Sequence, residues 1–234
     1  MAFWTTIFFL AGGVCFIFGL KLLSRTSTAR LGNLVSALGM SLAILGAGLK
    51  IVERFEASGA LPGLGTFIWI LLGIILGAAV GIPAARLVKM TSMPEMVALF
   101  NGFGGIASLL VGWSQLHSKA ASLPEGRTML STLSDTGSPY MVSSTIFLAM
   151  LIGGVTFTGS LVAFGKLSGK IASRPILYEG QQKVNALVLL LVVLAGVWFT
   201  MSPGHYWLFL LATAVSLFVG VAVVIPIGGA DMPV

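Results

Sequence analysis

The stretch that decides the fold is TSMPEMVALFNGFGGIASLLVGW, residues 91–113. Laid on a helix, it sets Asn101, Gly105, Ser108 and Gly112 along one face, at i, i+4, i+7 and i+11. Met96, Val97, Leu99, Phe100, Leu109, Leu110 and Val111 fill the other faces. A polar amide in such a segment is costly unless paired, so Asn101 is expected to face a partner helix or a water-filled path. The plainer alternative is a tightly packed membrane helix whose amide cross-links a bundle. The helix start is also written out. Ser92 followed by Glu95 fits a capping box, and Pro94 falls in the first turn, where its missing N–H costs nothing.

Working outward, the whole chain shares this character. Of its 234 residues 57% are hydrophobic and only 9% charged, with 30 glycines and a mean hydropathy of +1.04. That excludes a soluble domain and points to a polytopic membrane protein. Apolar runs of about 20 residues favour helices over a barrel, whose strands alternate every second residue. The expected fold is all-α, a transmembrane helical bundle. The net charge of +6 does not indicate nucleic acid, because the basic residues sit between apolar runs as flanking charge. The single cysteine, Cys15, lies inside the first run and reads as a small packing residue. That first run lacks a basic leader and an obvious cleavage site, so it reads as a span and not a signal peptide.

About seven spans are expected, near residues 3–23, 31–51, 66–88, 94–113, 141–165, 184–200 and 206–227. Lys21, Arg25, Arg30, Arg86, Lys89, Lys166, Lys170, Arg174 and Lys183 then fall on one side, and Lys50, Arg54, Lys119 and Arg127 on the other. The positive-inside rule puts the N-terminus outside and residues 231–234 in the cytoplasm. The connection 114–140 becomes an outer surface loop. Residues 166–183 become a basic cytoplasmic loop suited to anionic lipid or a cytoplasmic domain. Small residues recur at helical spacing: Gly32, Ser36, Gly39, Ala43 and Gly46 in the second span, Gly73, Gly77 and Gly81 in the third, and Ala212, Ser216 and Gly220 in the seventh. Such stripes let backbones approach closely in a bundle or oligomer.

The fifth span carries VTFTGSLVAFGKLSGK, residues 155–170. Gly153, Thr156, Ser160 and Ala163 share a face, with Thr158 nearby. Hydroxyls in membrane helices often bond their own i−4 carbonyl. The functional alternative is a polar lining that faces Asn101. At the other end of the sequence, Gly228 and Gly229 are expected to break the seventh span. Asp231 precedes Met232 and Pro233 as Ser92 precedes Met93 and Pro94, so it looks like the cap of a further helix. By that repeat a second polar residue would follow beyond Val234, which suggests a chain cut short or a split gene.

Several chemistries have no support. GFGG at 102–105 lies within an apolar helix and not after a strand, so no dinucleotide fingerprint or phosphate loop is read, and no Cys/His cluster has metal spacing. His117 and His205 fall at or beyond the outer interface and read as solvated residues. No carboxylate lies in the membrane interior, since Glu95 sits in the first turn of its span. Asn101 can orient water or a histidine but cannot exchange protons itself. If protons move, the titrating group belongs to another chain.

Three motifs, MTSMPEMVALFNGFGG, VTFTGSLVAFGKLSGK and IGGADMPV, resemble the membrane domain of the beta subunit of proton-translocating NAD(P) transhydrogenase. The resemblance runs from the first span to residue 234. It implies that residues 1–234 form the membrane proton-channel domain, with two further spans and a cytoplasmic NADP(H)-binding domain after them. The enzyme of that family couples hydride transfer between NAD(H) and NADP(H) to proton movement, and both nucleotides are bound by other domains. Asn101 matches a position where some relatives carry a proton-relay histidine, so an asparagine here implies a histidine on a partner alpha-subunit helix. Ser160 matches a polar position near the channel, and Thr156 and Ser108 complete the expected proton path. Asp231, with Gly228 and Gly229, matches a cytoplasmic loop that couples the channel to the NADP(H) domain. A bacterial cytoplasmic membrane, a lipid-embedded subunit without nucleic acid, and a dimer of complexes are also implied. Two rivals remain: a substrate transporter, which broken helices and charged midplane groups would favour, and a structural membrane subunit without chemistry of its own.

Overall fold

A computed structural model of the chain describes residues 2–23, 25, 27–58, 64–121, 123, 125, 128–134, 138–229 and 232. Its helices are α1 (Ala2–Leu23), α2 (Ala29–Ser58), α3 (Leu64–Leu87), α4 (Met93–Ala121), α5 (Met129–Ser134), α6 (Pro139–Leu167), α7 (Gln181–Met201) and α8 (Tyr206–Val224), with a 3-10 turn at Met90–Ser92. There is no strand among the described residues. All but α5 are long and apolar enough to cross a membrane, which gives seven spans among the described residues. The chain is an all-α, multi-pass membrane protein. It divides into two compact units, residues 1–84 and 85–234.

In the first unit α1 and α2 meet backbone to backbone. A β-carbon on Gly39 would lie 2.9 Å from the Gly12 carbonyl oxygen, and one on Gly32 would lie 2.8 Å from the Leu23 nitrogen. The small-residue stripe of the second span is therefore a helix–helix seam, as its spacing predicts. The matching stripe on α3 behaves differently. A β-carbon on Gly73, Gly77 or Gly81 would meet nothing within 4 Å among the described residues.

In the second unit α4 and α6 run antiparallel and interlock through Gly105 and Gly153. A β-carbon on Gly105 would stand 2.7 Å from the Phe157 nitrogen, and one on Gly153 would stand 2.6 Å from the Gly105 oxygen. Helix α8 runs parallel to α6. It presses Ala212, Ser216 and Gly220 inward, all of them buried, and Gly220 faces the Val155 carbonyl. One end of this unit is a closed core. There the rings of Phe147, Phe199 and Phe209 stand 5.8 Å apart in sequence, joined by Leu109, Leu116 and Leu208.

Four expectations need correction. The connection 114–140 is more than a surface loop: α4 continues to Ala121, and α5 buries Met129, Thr132 and Leu133 in the core. Met129 and Leu133 are one helical turn apart, and a six-residue helix is too short to register as an apolar run. Lys166 does not belong to a loop, since it sits in the last turn of α6 and is 1% exposed. Gly228 and Gly229 do not end the last span, because α8 stops at Val224, ahead of Pro226. Proline has no N–H to continue the helical ladder. At the start of α4, the Ser92 N–H donates to the Lys89 carbonyl (2.9 Å) and not to Glu95 as in a capping box.

Candidate functional site

The α4–α6 crossing creates an interhelical side-chain hydrogen bond in apolar surroundings. Asn101 Nδ2 donates to Ser160 Oγ at 2.9 Å. The bond forms because Gly102, the residue after Asn101, lies against α6, where its β-carbon would be 3.2 Å from that of Ser160. Ser160 is buried, whereas Asn101 sits at the rim of the contact and is exposed on its outer side. The buried stripe of α4 is Gly102, Gly105, Leu109, Gly112 and Leu116, so the seam is rotated slightly from the face that holds Asn101.

Asn101 and Ser160 line a cavity of about 480 Å³ between α4, α6 and the end of α8. Thr156, one turn before Ser160, also lines it. Pro94, Val97 and Ala98 form the α4 wall, Ala163 and Leu167 the lower α6 wall, and Val224, Ile227 and Met232 the far wall. None of these lining residues carries a titratable side chain. The amide and hydroxyls can orient water or accept a donor from elsewhere, but they cannot take up a proton at ordinary pH.

The other expected site residues are placed differently. Ser108 does not line the cavity, because its hydroxyl donates to the Ala149 carbonyl of α6 at 3.2 Å. Thr158 turns to α8, donating toward the Leu217 carbonyl (2.7 Å) and its own i−4 carbonyl on Gly154 (3.1 Å). Gly228 is buried, and the Gly229 N–H donates to the Ser173 carbonyl at 2.8 Å. Asp231 lies outside the described residues. Among the described residues no group of His, Cys, Asp or Glu is arranged to hold a metal ion. His205 is exposed, and its Nδ1 lies 3.2 Å from the Ser202 carbonyl beside Trp198. His117 is exposed too, near the far end of α4 from the cavity.

Sequence reasoning missed two residues where the cavity meets the exit of α8. Met232 is buried in its wall. Lys166 Nζ donates to the carbonyls of Ile225 and Ile227, where α8 ends. The signal for Lys166 was its place inside the helical run that carries Ser160, ahead of the Gly169 that ends the helix.

The polar pair, its glycine seam and the chain leading out of α8 coincide with the three motifs that stand out in the sequence. The sequence model of the family described as NAD(P) transhydrogenase beta subunit matches residues 5–234. Two curated sequences from Rhodospirillum rubrum, one assigned to a named strain, are called NAD(P) transhydrogenase subunit beta. Each is 34% identical to this chain over 226 residues, which is 97% of this chain and 44% of theirs. The chain thus spans less than half the length of these relatives. With the match running nearly end to end, the chain belongs to the NAD(P) transhydrogenase beta subunit family.

Proposed function

We propose that this chain is the membrane proton-translocating part of an NAD(P) transhydrogenase, in which hydride transfer between NAD(H) and NADP(H) is coupled to proton movement. The observation that carries the reading is the Asn101–Ser160 hydrogen bond inside a cavity with a polar floor and apolar walls. Thr156 extends that floor by one turn of α6. Ser108 is tied to backbone and acts as packing glue.

The cavity lies where α4 begins and α6 and α8 end, the side assigned to the cytoplasm by positive-inside charge. Toward the other side the path within this chain meets the Gly105–Gly153 seam and then the phenylalanine core. We read this arrangement as the state with access from the cytoplasm. A switch to outward access requires a second arrangement that some ligand binds with different affinity. NADP(H) bound to a domain beyond the membrane spans is that ligand, acting through the chain after Gly229.

The exposed side of Asn101 faces a partner alpha-subunit helix, which supplies the histidine that takes up the proton. Both nucleotides bind outside residues 1–234, and further spans of the subunit complete the channel. The assembly is a dimer of complexes in a bacterial cytoplasmic membrane. A substrate transporter is less well supported, because the cavity lining carries no charged group among the described residues.

In the complete complex, reconstituted in vesicles, Asn101→Leu is expected to abolish proton-coupled turnover while assembly persists. The measurement is NADPH-dependent reduction of an NAD analogue alongside internal pH. Normal coupled rates in that variant would overturn the channel assignment, and a defect confined to assembly would favour a structural subunit.

A further inference from the structure

Lys166 is the charged side chain among the largest fully buried ones of the described residues, at 1% exposure. Its ammonium donates to the Ile225 carbonyl at 2.5 Å and to the Ile227 carbonyl at 2.8 Å. These carbonyls come after the last turn of α8, where helical carbonyls lack intrahelical partners and the helix dipole is negative. The cation therefore caps α8 from the end of α6. A third segment is strapped to the same point. Ser173 Oγ donates to the Lys166 carbonyl (3.1 Å), the Ile176 N–H donates to the Ile225 carbonyl (3.3 Å), and the Gly229 N–H donates to the Ser173 carbonyl (2.8 Å). The end of α6, the 171–176 segment and the exit of α8 thus share one hub.

Stability alone is a poor reason for this arrangement. Burying an ammonium carries a large desolvation cost, and apolar packing of the same volume often stabilises as well or better. What the ammonium adds is specification: two directed bonds fix how the end of α8 sits on α6. The neighbours of those bonds are the cavity walls. Ala163 and Leu167 flank Lys166 on α6, while Val224 and Ile227 flank the accepting carbonyls. Ser160 lies on α6 six residues earlier, about 9 Å along the axis.

We infer that Lys166 is a positioning residue, a latch that holds the exit of α8 on α6 and so transmits movement of the Gly228–Gly229 segment to the cavity wall and the Ser160 helix. The inference rests on the proton-channel reading and adds to it the residue through which the channel is coupled to the chain beyond α8. With the latch intact, displacement of the segment after Ile227 must drag α6 or break two charge-assisted bonds. Without it, that segment moves freely and the cavity does not respond.

The test uses the complete complex in vesicles, with Lys166→Met, Lys166→Arg, Ser173→Ala and Asn101→Leu side by side. Lys166→Met removes both bonds while keeping most of the side-chain volume. It is expected to keep hydride transfer within about twofold while the protons moved per hydride fall at least threefold. Lys166→Arg should restore most of that ratio. Ser173→Ala, a surface change that leaves the core untouched, should lower it about twofold. Hydrogen exchange gives a readout free of activity: the Ile176 and Gly229 amides should exchange at least tenfold faster in Lys166→Met, while amides at the α4–α6 seam do not change. If Lys166→Met does not assemble, Ser173→Ala decides the matter. A wild-type proton-to-hydride ratio with unchanged Ile176 and Gly229 exchange in Lys166→Met, or a wild-type ratio in Ser173→Ala where Lys166→Met does not assemble, would overturn the latch. Asn101→Leu keeps the two readings apart: if it abolishes coupled turnover while Lys166→Met and Ser173→Ala stay coupled, the channel stands and the latch falls.

Discussion

The Ser160 hydroxyl accepts a hydrogen bond from a side chain on another helix, whereas Thr158, two residues earlier on α6, gives its hydroxyl proton to backbone carbonyls. The same functional group thus lines the candidate site in one case and packs helices in the other. Removing each should separate activity from stability. Ser160→Ala leaves the Asn101 amide without its acceptor, but that amide lies at the rim, where the proposed partner helix offers another, so the fold should lose less than about 1 kcal/mol. Coupled turnover should nevertheless fall about tenfold, because the amide loses its fixed orientation. Thr158→Val should do the reverse. Its loss of the bond to the Leu217 carbonyl costs about 1 kcal/mol of stability, with turnover per assembled complex unchanged. Thermal unfolding in detergent beside vesicle assays would check both. A Ser160→Ala complex with full coupled activity would remove Ser160 from the path.

At the scale of elements, the governing contact is the α4–α6 seam. A methyl group at Gly105 would collide with the Phe157 nitrogen at 2.7 Å and the Gly153 oxygen at 2.8 Å, and backbone cannot turn aside as a side chain can. Gly105→Ala should therefore cost about 2 kcal/mol and widen the cavity by pushing the helices apart. Gly104→Ala, next to it and facing nothing within 4 Å among the described residues, should be neutral or gain up to about 1 kcal/mol from helix propensity. Equal unfolding midpoints for the two variants would show that the seam is not tight. These helices show what a sequence makes legible. Long apolar runs and the small-residue spacing of α2 and α8 follow from period alone, and Asn101 and Ser160 stood out because amides and hydroxyls are rare in such runs. The rest depended on partners that period cannot name. The Gly73, Gly77 and Gly81 stripe has the same spacing as its counterpart on α2 and meets nothing among the described residues. Ser108 shares a face with Gly105 but bonds backbone outside the cavity. Helix α5 hides in a polar connection, because two apolar residues at one turn's spacing give too little signal.

At the scale of the molecule, the second unit is built unevenly from end to end. Leu116, Phe147, Phe199, Phe209 and the short α5 close one end, while the cavity, the Lys166 latch and the 171–176 segment occupy the other. An uneven bundle of this kind works as a gated path only if the ends face particular sides of the membrane. On the proposed reading charge assigns them: in the second unit Lys89, Lys166, Lys170, Arg174 and Lys183 lie toward the cavity end and Lys119 toward the other, so the positive-inside rule predicts a cavity that opens to the cytoplasm. The same rule predicts that the aromatic cluster of Trp198, His205 and Trp207 lies at the outer interface, where amphipathic rings settle. Exposed positions on each side allow a direct test. In a Cys15→Ala background, Glu125→Cys and Lys170→Cys place single thiols beyond opposite ends of α6, and neither native side chain is buried. A membrane-impermeant maleimide added to intact cells should label Glu125→Cys and spare Lys170→Cys, which should react only after the membrane is opened. The reverse pattern would turn the cavity outward. It would also put the exit of α8 on the side away from any cytoplasmic nucleotide domain, so the coupling through Lys166 would lose its source.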